Sequence, residues 1–201
     1  MNGNQCQRVR GMVQSLTGGG FLGCETERLV LRRITVDDWQ SVHRYMSDTV
    51  VTKWLPEGIL DEELSRKFAI KNAGENPQAL AELTRDPKEF VGHMVFHPWF
   101  ALQTYEIGWV LGREHQRRGY ATEAAKSLVA YAFESLQCHR VIATCQPENV
   151  ASWRVMEKLE MRREGFFRKC IARASGEWWD EYFYAILAEE YFRGAKQGER
   201  R

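Results

Sequence analysis

The sequence predicts one α/β domain of the α+β kind, a mixed and mostly antiparallel central sheet with a single parallel pair and flanking helices. Three observations predict it. The 201 residues suffice for one full core, and no internal repeat or linker divides them. The hydrophobic periodicity runs strand, two helices, three strands, helix, strand, helix, two strands. The strand–helix–strand unit from Tyr105 to Cys145 requires a parallel pair, because a crossover helix returns the chain in the same direction.

Each element has a local cause. Glu27 to Ile34 alternates as a strand. Thr35 caps a helix with Asp37 and Asp38 in its first turn and Trp39, Val42, Tyr45 and Met46 on one face. Pro56 and Gly58 break the chain, and Asp61 opens a second helix with Leu64, Phe68 and Ala69 expected inward. Strands follow at Ala79 to Thr84, Phe90 to His97 and Thr104 to Leu111, the first two separated by the turn signal Asp86-Pro87-Lys88. In the third, Tyr105, Ile107, Trp109 and Leu111 share one face, and Glu106, Gly108 and Val110 the other. A helix from Thr122 to Leu136, a strand at Val141 to Cys145 and a helix after Pro147-Glu148-Asn149 come next. Strands at Met161 to Ala172 and Trp178 to Leu187 complete the pattern. Residues 1–24, with Gly18-Gly19-Gly20 and no signal-peptide pattern, are expected as a flexible leader. The domain is expected to span 25–190 and a polar tail, read as a frayed helix, 191–201.

Bulk properties exclude several classes. A net charge of +1 gives no global pull toward nucleic acid or anionic membrane. No apolar run reaches the roughly 20 residues that span a bilayer. Five scattered cysteines, with no CxxC pair and no zinc-finger spacing, point to reduced thiols in a cytoplasmic protein and to no metal. His93, His97 and His115 lack ligand spacing and read as surface or strand-end residues, and His139 as structural.

The most informative stretch is Gln116-Arg117-Arg118-Gly119-Tyr120-Ala121, between a strand and a helix. A glycine turn feeding a helix start leaves backbone N–H groups without intrahelical partners, and the helix dipole adds positive potential there. The turn therefore predicts a phosphate-bearing ligand. A dinucleotide fingerprint needs other glycines, and a Walker loop needs G-x-x-x-x-G-K-[ST], which is absent. The third reading is an acyl-coenzyme A pyrophosphate turn of the pattern Q/R-x-x-G-x-G/A.

That pattern resembles the Gcn5-related N-acetyltransferases (GNAT). So do Glu106-Ile107-Gly108-Trp109-Val110-Leu111, which is similar to the family's fourth strand, and Pro147-Glu148-Asn149-Val150-Ala151-Ser152 with Lys158-Leu159, similar to the segment closing over coenzyme A. Arg163-Glu164-Gly165 and Asp180-Glu181-Tyr182-Phe183-Tyr184 resemble the last strands of the subgroup acetylating ribosomal proteins, the RimJ/RimL type.

The resemblance implies an enzyme that moves the acetyl group of acetyl-CoA to a primary amine, on a protein N-terminus or a small molecule. It assigns the carbonyl-polarising N–H to Val110, with Trp109 and Leu111 lining the pantetheine. Gln116 and Arg117 belong to the turn; Arg118, Gly119, Tyr120, Ala121 and Thr122 would supply N–H groups to the pyrophosphate, and Thr122 a hydroxyl. Asn149 would bond the pantetheine arm. Ser152 would lie near the sulfur and protonate the thiolate, because the position of many relatives' acidic tyrosine is Met156 here. Glu106 is the candidate general base, against the alternative of a surface carboxylate paired with an arginine. The acidic residue of some relatives falls near the apolar Ile171. Trp54 and Trp99, in loops beside prolines, are candidates for the acceptor pocket, whereas Trp178, Trp179, Tyr182 and Tyr184 fit either an acceptor wall or strand packing. Edge strands offer a homodimer surface. Met156 and Ile171 leave a second class open, a non-catalytic coenzyme A-binding sensor on the same fold.

Overall fold

A computed structural model describes residues 23–74, 77–173 and 175–198. Of the leader expected over 1–24, residues 1–22 lie outside the described residues. The last of it does not: Cys24–Glu25 forms a short strand, β1, antiparallel to β2 (Leu29–Arg33).

The remaining elements follow the predicted order. They are α1 (Trp39–Met46), α2 (Glu62–Ala73), β3 (Ala79–Thr84), β4 (Phe90–Pro98), β5 (Thr104–Leu111), α3 (Tyr120–Ala130), β6 (Arg140–Cys145), α4 (Val150–Lys158), β7 (Arg162–Ala172), β8 (Trp178–Leu187) and α5 (Ala188–Gly198). A 3-10 turn capped by Thr35 leads into α1, and a π-helical turn, Tyr131–Ser135, continues α3. The tail expected from 191 is mostly helix α5, held by Tyr191, whose ring packs at a tilt on Phe133 with centroids 5.1 Å apart and whose hydroxyl donates to Glu134 at 2.7 Å.

Among the described residues, eight strands form one sheet in the order β1-β2-β3-β4-β5-β6-β8-β7. Every pairing is antiparallel except β5 with β6, the predicted parallel pair. That pairing covers only Thr104, Tyr105 and Glu106 against Arg140, Val141 and Ile142. Beyond Glu106 the two strands diverge while β5 stays paired with β4 and β6 with β8. The sheet therefore carries a V-shaped gap.

The predicted alternation in β5 holds. Ile107 and Leu111 pack in the main core with Leu128 and Val129 of α3 and Met156 of α4. Val110 packs on the opposite face with Val42, Tyr45 and Met46 of α1. Helices thus cover both faces of the sheet, α1 and α2 on one and α3 and α4 on the other.

Helix α2 corrects one expectation. Asp61 caps it through a 2.8 Å bond from the Leu64 N–H, as its sequence position predicts. Leu64 itself is exposed, and the inward stripe is Ser65, Ala69 and Asn72. Asn72 sets the rotation: its Oδ1 accepts from the N–H groups of Gln78 and Ala79, both at 2.9 Å. A buried amide tied to the start of β3 outweighs the preference of one leucine for the interior.

Two positions give stability predictions. Glu160 ends α4 with φ 60, the left-handed conformation that favours glycine. Glu160→Gly is expected to stabilise the fold by about 1 kcal/mol, a rise in Tm of roughly 2–4 °C, with unchanged activity. A thermal melt with no gain contradicts this.

Glu82 on β3 is fully buried, and neither carboxyl oxygen has a hydrogen-bond partner among the described residues. Burial, reinforced by the charge of Glu123, pushes its carboxyl up to about 8. A raised carboxyl favours the protonated folded form. Its stabilising contribution is complete below the ordinary glutamate range and is lost as pH rises through about 8. Between pH 6 and 9 the Tm of the native chain should fall at least about 3 °C more than that of Glu82→Gln. Parallel pH curves for the two proteins would rule this out.

Candidate active site

The gap between β5 and β6 opens into a cleft of about 1080 Å³, at the upper end for small-molecule sites. Trp109, Val110, Leu111, Gln116, Arg117, Gly119, Tyr120, Ala121, Thr122, Asn149 and Ser152 all line it, as do Glu106 and Trp54. Ten of these residues come from β5, the turn before α3 and the first residues of α3, and the fold brings Asn149 and Ser152 to them from the start of α4.

The turn has the geometry its sequence predicts. Gly119 caps α3 at φ 83, and Arg117 is also left-handed at φ 62. The first helical bond runs from Glu123 N–H to Gly119 C=O at 3.0 Å. The N–H groups of Tyr120, Ala121 and Thr122 precede that bond and point out of the helix end, at its positive pole. Gln116 ties the turn to β5 by donating from Nε2 to the Leu111 carbonyl at 3.1 Å. Arg118 does not line the cleft; its carbonyl accepts from Arg28 at 3.0 Å.

An ionic clamp missed at the sequence level holds this helix start. Glu123 accepts from Thr26 Oγ1 at 2.5 Å, from the Arg28 backbone N–H at 2.9 Å and from Arg28 Nε at 2.7 Å. Burial raises the Glu123 carboxyl, but the bonds from Thr26 and Arg28 outweigh it and hold the group below its ordinary value. The loop before β2 is thereby fixed to the turn before α3. The partners lie 95 positions apart, so no local pattern reveals them.

The ladder between β4 and β5 decides which backbone groups face the gap. Gly112 N–H donates to Val91 C=O at 2.9 Å, and opposed residues alternate between bonded and non-bonded pairs along an antiparallel ladder. The Val110–His93 pair is therefore bonded, and Val110 N–H points toward β4. Trp109 and Leu111 present their N–H groups on the other side, where β6 has moved away. The N–H expected from Val110 is committed to the sheet; those of its two neighbours face the cleft.

At the start of α4, Asn149 Oδ1 accepts from Ser152 N–H at 3.3 Å, capping the helix and leaving the amide NH₂ for a ligand. The Ser152 hydroxyl hydrogen-bonds with Cys145, whose thiol burial pushes up to about 12. Cys145 and Met156 belong to the core on the α3–α4 face. Met156 is buried and carries no proton.

The α1–α2 face of the gap carries the carboxylates. Glu106 is half-buried, and burial raises its carboxyl, offset in part by His97. Its ionic neighbour is the His97 Nε2 at 3.8 Å, not an arginine. Glu181 on β8 lines the same cleft and was not a candidate from sequence. Burial raises its carboxyl, a bond from Thr144 lowers it and the charge of Glu106 raises it again. The signal for Glu181 was the alternation of β8: Tyr184 and Ile186 face the main core, which turns Glu181 to the opposite side.

The aromatic candidates separate. Trp54 lines the cleft and leans on Trp179 with ring centroids 6.1 Å apart. Trp99 lies outside it, its ring tilted against Phe100 with centroids 3.8 Å apart and near Phe183 at 5.6 Å, beside a separate cavity of about 340 Å³. It follows the end of β4, whose last pair is Pro98 with Tyr105, and the loop carries its ring away from the gap. The histidines also differ from expectation. His93 and His115 are buried, and His93 Nδ1 meets the Tyr45 hydroxyl at 2.7 Å.

With this geometry established, comparison places the chain. Residues 28–162 match the acetyltransferase (GNAT) domain. The chain belongs to the GNAT acetyltransferase family. YnaD of Bacillus subtilis (strain 168), an uncharacterized N-acetyltransferase, is 50% identical over 166 residues, 83% of this chain and 97% of that protein. The crystal structure of a GNAT-family acetyltransferase from Bacillus anthracis superposes with a TM-score of 0.80 at 48% identity, covering 84% of this chain and all of that one. The ribosomal-protein-S5-alanine acetyltransferase of Vibrio fischeri shares the fold at 18% identity, with a TM-score of 0.70 over 85% of this chain and 98% of its own. This GNAT chain is accordingly an acetyltransferase. Among the described residues no helix is long and apolar enough to cross a membrane.

Proposed function

We propose that this GNAT enzyme transfers the acetyl group of acetyl-CoA directly to a primary amine, with the two substrates meeting in the β5–β6 gap from opposite faces of the sheet. The observation that carries the proposal is the two-sided cleft: free helix-terminal N–H groups and Ser152 on the α3–α4 side, carboxylates on the α1–α2 side.

In this reading the pyrophosphate sits on the N–H groups of Gly119 to Thr122, with Arg117 beside it. Asn149 holds the pantetheine arm through its amide NH₂. The thioester carbonyl takes a hydrogen bond from the N–H of Trp109 or Leu111, in place of Val110, and that bond strengthens as negative charge develops on the oxygen. Glu106 accepts the proton of the attacking amine. A carboxylate raised by burial is a better proton acceptor near neutral pH than one in water. The thiolate leaves toward Ser152, whose hydroxyl supplies its proton and regains one from water.

The acceptor is an amine small or extended enough to enter past Trp54, on a protein N-terminus or a free molecule. Glu181 adds a second negative group to its path, which favours a cationic amine. Release of free thiol from acetyl-CoA, followed across a panel of amines and N-terminal peptides, tests the proposal. Amine-dependent release is expected. Tight acetyl-CoA binding with no release for any acceptor would overturn it and favour a sensor.

A further inference from the structure

Resting on Glu106 as the base, we infer that His97 is a relay residue acting through it: an imidazole on the neighbouring strand that takes the amine's proton from the Glu106 carboxyl and releases it to solvent. Two independent features of the geometry support this. First, the register makes His97 and Glu106 directly opposed partners on β4 and β5, so both side chains stand on the α1–α2 face and both line the cleft. His97 Nε2 lies 3.8 Å from Glu106 Oε2, a small side-chain rotation short of a hydrogen bond.

Second, the tautomer is set. His97 Nδ1 lies 3.0 Å from the carbonyl oxygen of Pro98. A carbonyl only accepts, so Nδ1 carries the hydrogen and donates. In the neutral ring Nε2 is then left with its lone pair, and Nε2 is the atom facing Glu106. The arrangement presents a proton acceptor to the protonated form of the base, as a relay requires. The ring's side chain is 22% exposed, which gives the imidazolium contact with water.

The proton balance closes. The amine loses one proton to Glu106 on attack; Glu106 passes it to His97 Nε2, and the doubly protonated ring gives one proton to water. The carboxylate is restored for the next turnover with no other reactant. Other titratable groups lining the pocket include Glu181 from β8, His93 from β4, Lys71 from α2, Lys53 and Glu57 from the loop before α2, and Lys158 from α4. His93 is excluded from the role because its Nδ1 is engaged by Tyr45 and its ring is buried.

Nitrogen NMR on the full chain with ¹⁵N-labelled histidine, using His97→Gln to assign the signal, reads the tautomer without any substrate. The neutral ring of His97 should be protonated at Nδ1; protonation at Nε2 overturns the relay. In the thiol-release assay, His97→Gln should lose about tenfold or more in kcat with KM for acetyl-CoA unchanged, and added imidazole should recover part of the loss. Imidazole should not rescue Glu106→Gln. Full activity of His97→Gln beside a slow Glu106→Gln overturns the relay alone; full activity of Glu106→Gln overturns the base assignment beneath it.

Discussion

Glu106→Gln should lower kcat by about a hundredfold while leaving acetyl-CoA affinity unchanged. The substitution keeps the size and polarity of the side chain and removes only its capacity to take a proton. Glu106 lies on the α1–α2 face of β5, whereas the groups that would hold coenzyme A lie in the turn before α3 and at the start of α4. Binding and turnover should therefore separate. The pH dependence has a fixed sign. Burial raises the Glu106 carboxyl, so the active carboxylate accumulates as pH rises through that elevated range. The native rate should climb through it, and Glu106→Gln should lack that limb. Steady-state kinetics across pH, with calorimetric titration of acetyl-CoA, measures both. A full rate at neutral pH would show that Glu106 is a structural carboxylate.

Gly119→Val should weaken acetyl-CoA binding about tenfold or more. Two effects combine. At φ 83 a β-branched residue is strained by roughly 1–2 kcal/mol, which pulls the turn out of shape. The added side chain also begins 3.4 Å from Arg28 Nη2, in the clamp that fixes the helix start. Gly176 supplies the control: it has the same φ of 83, and a Cβ there would meet nothing within 4 Å. It lies in the turn between β7 and β8 and does not line the cleft. Gly176→Val should lower Tm through the same backbone strain and leave acetyl-CoA affinity intact. Equal losses of affinity in both variants would mean that strain alone, and not the phosphate turn, explains the effect.

The comparison of residue pattern with fold shows which physical signals are local. Asp61 and Gly119 announce helix starts because capping involves neighbours three or four residues away, so the sequence carries the whole motif. The alternation of β5 separates its two faces for the same reason. The parallel pair follows from the crossover rule, and the gap beyond Glu106 lies where that pair ends.

What was not legible depends on distant partners. The Asn72 bonds to Gln78 and Ala79 rotate α2 and expose Leu64, reversing a sound hydrophobic expectation. His93 and His115 are buried by packing that their strand and turn positions do not encode. The alternation of β8 gives the face of Glu181, but its place beside the gap comes from β8 inserting between β6 and β7, which sheet order sets. Val110 was assigned the oxyanion role by resemblance, yet ladder parity turns its N–H to β4. Trp99 belongs to a loop, where chain direction is free and an aromatic side chain can serve a different cavity.

The central claim is that the β5–β6 gap holds the reacting thioester between the two faces of the sheet. A crystal structure of the chain with acetyl-CoA measures it directly. The expected complex has the pyrophosphate on the N–H groups of Gly119 to Thr122 and the thioester carbonyl within hydrogen-bond distance of Trp109 or Leu111 N–H, with the acetyl carbon facing Glu106. Coenzyme A bound away from the α3 turn, or an acetyl group directed away from the α1–α2 face, would contradict it.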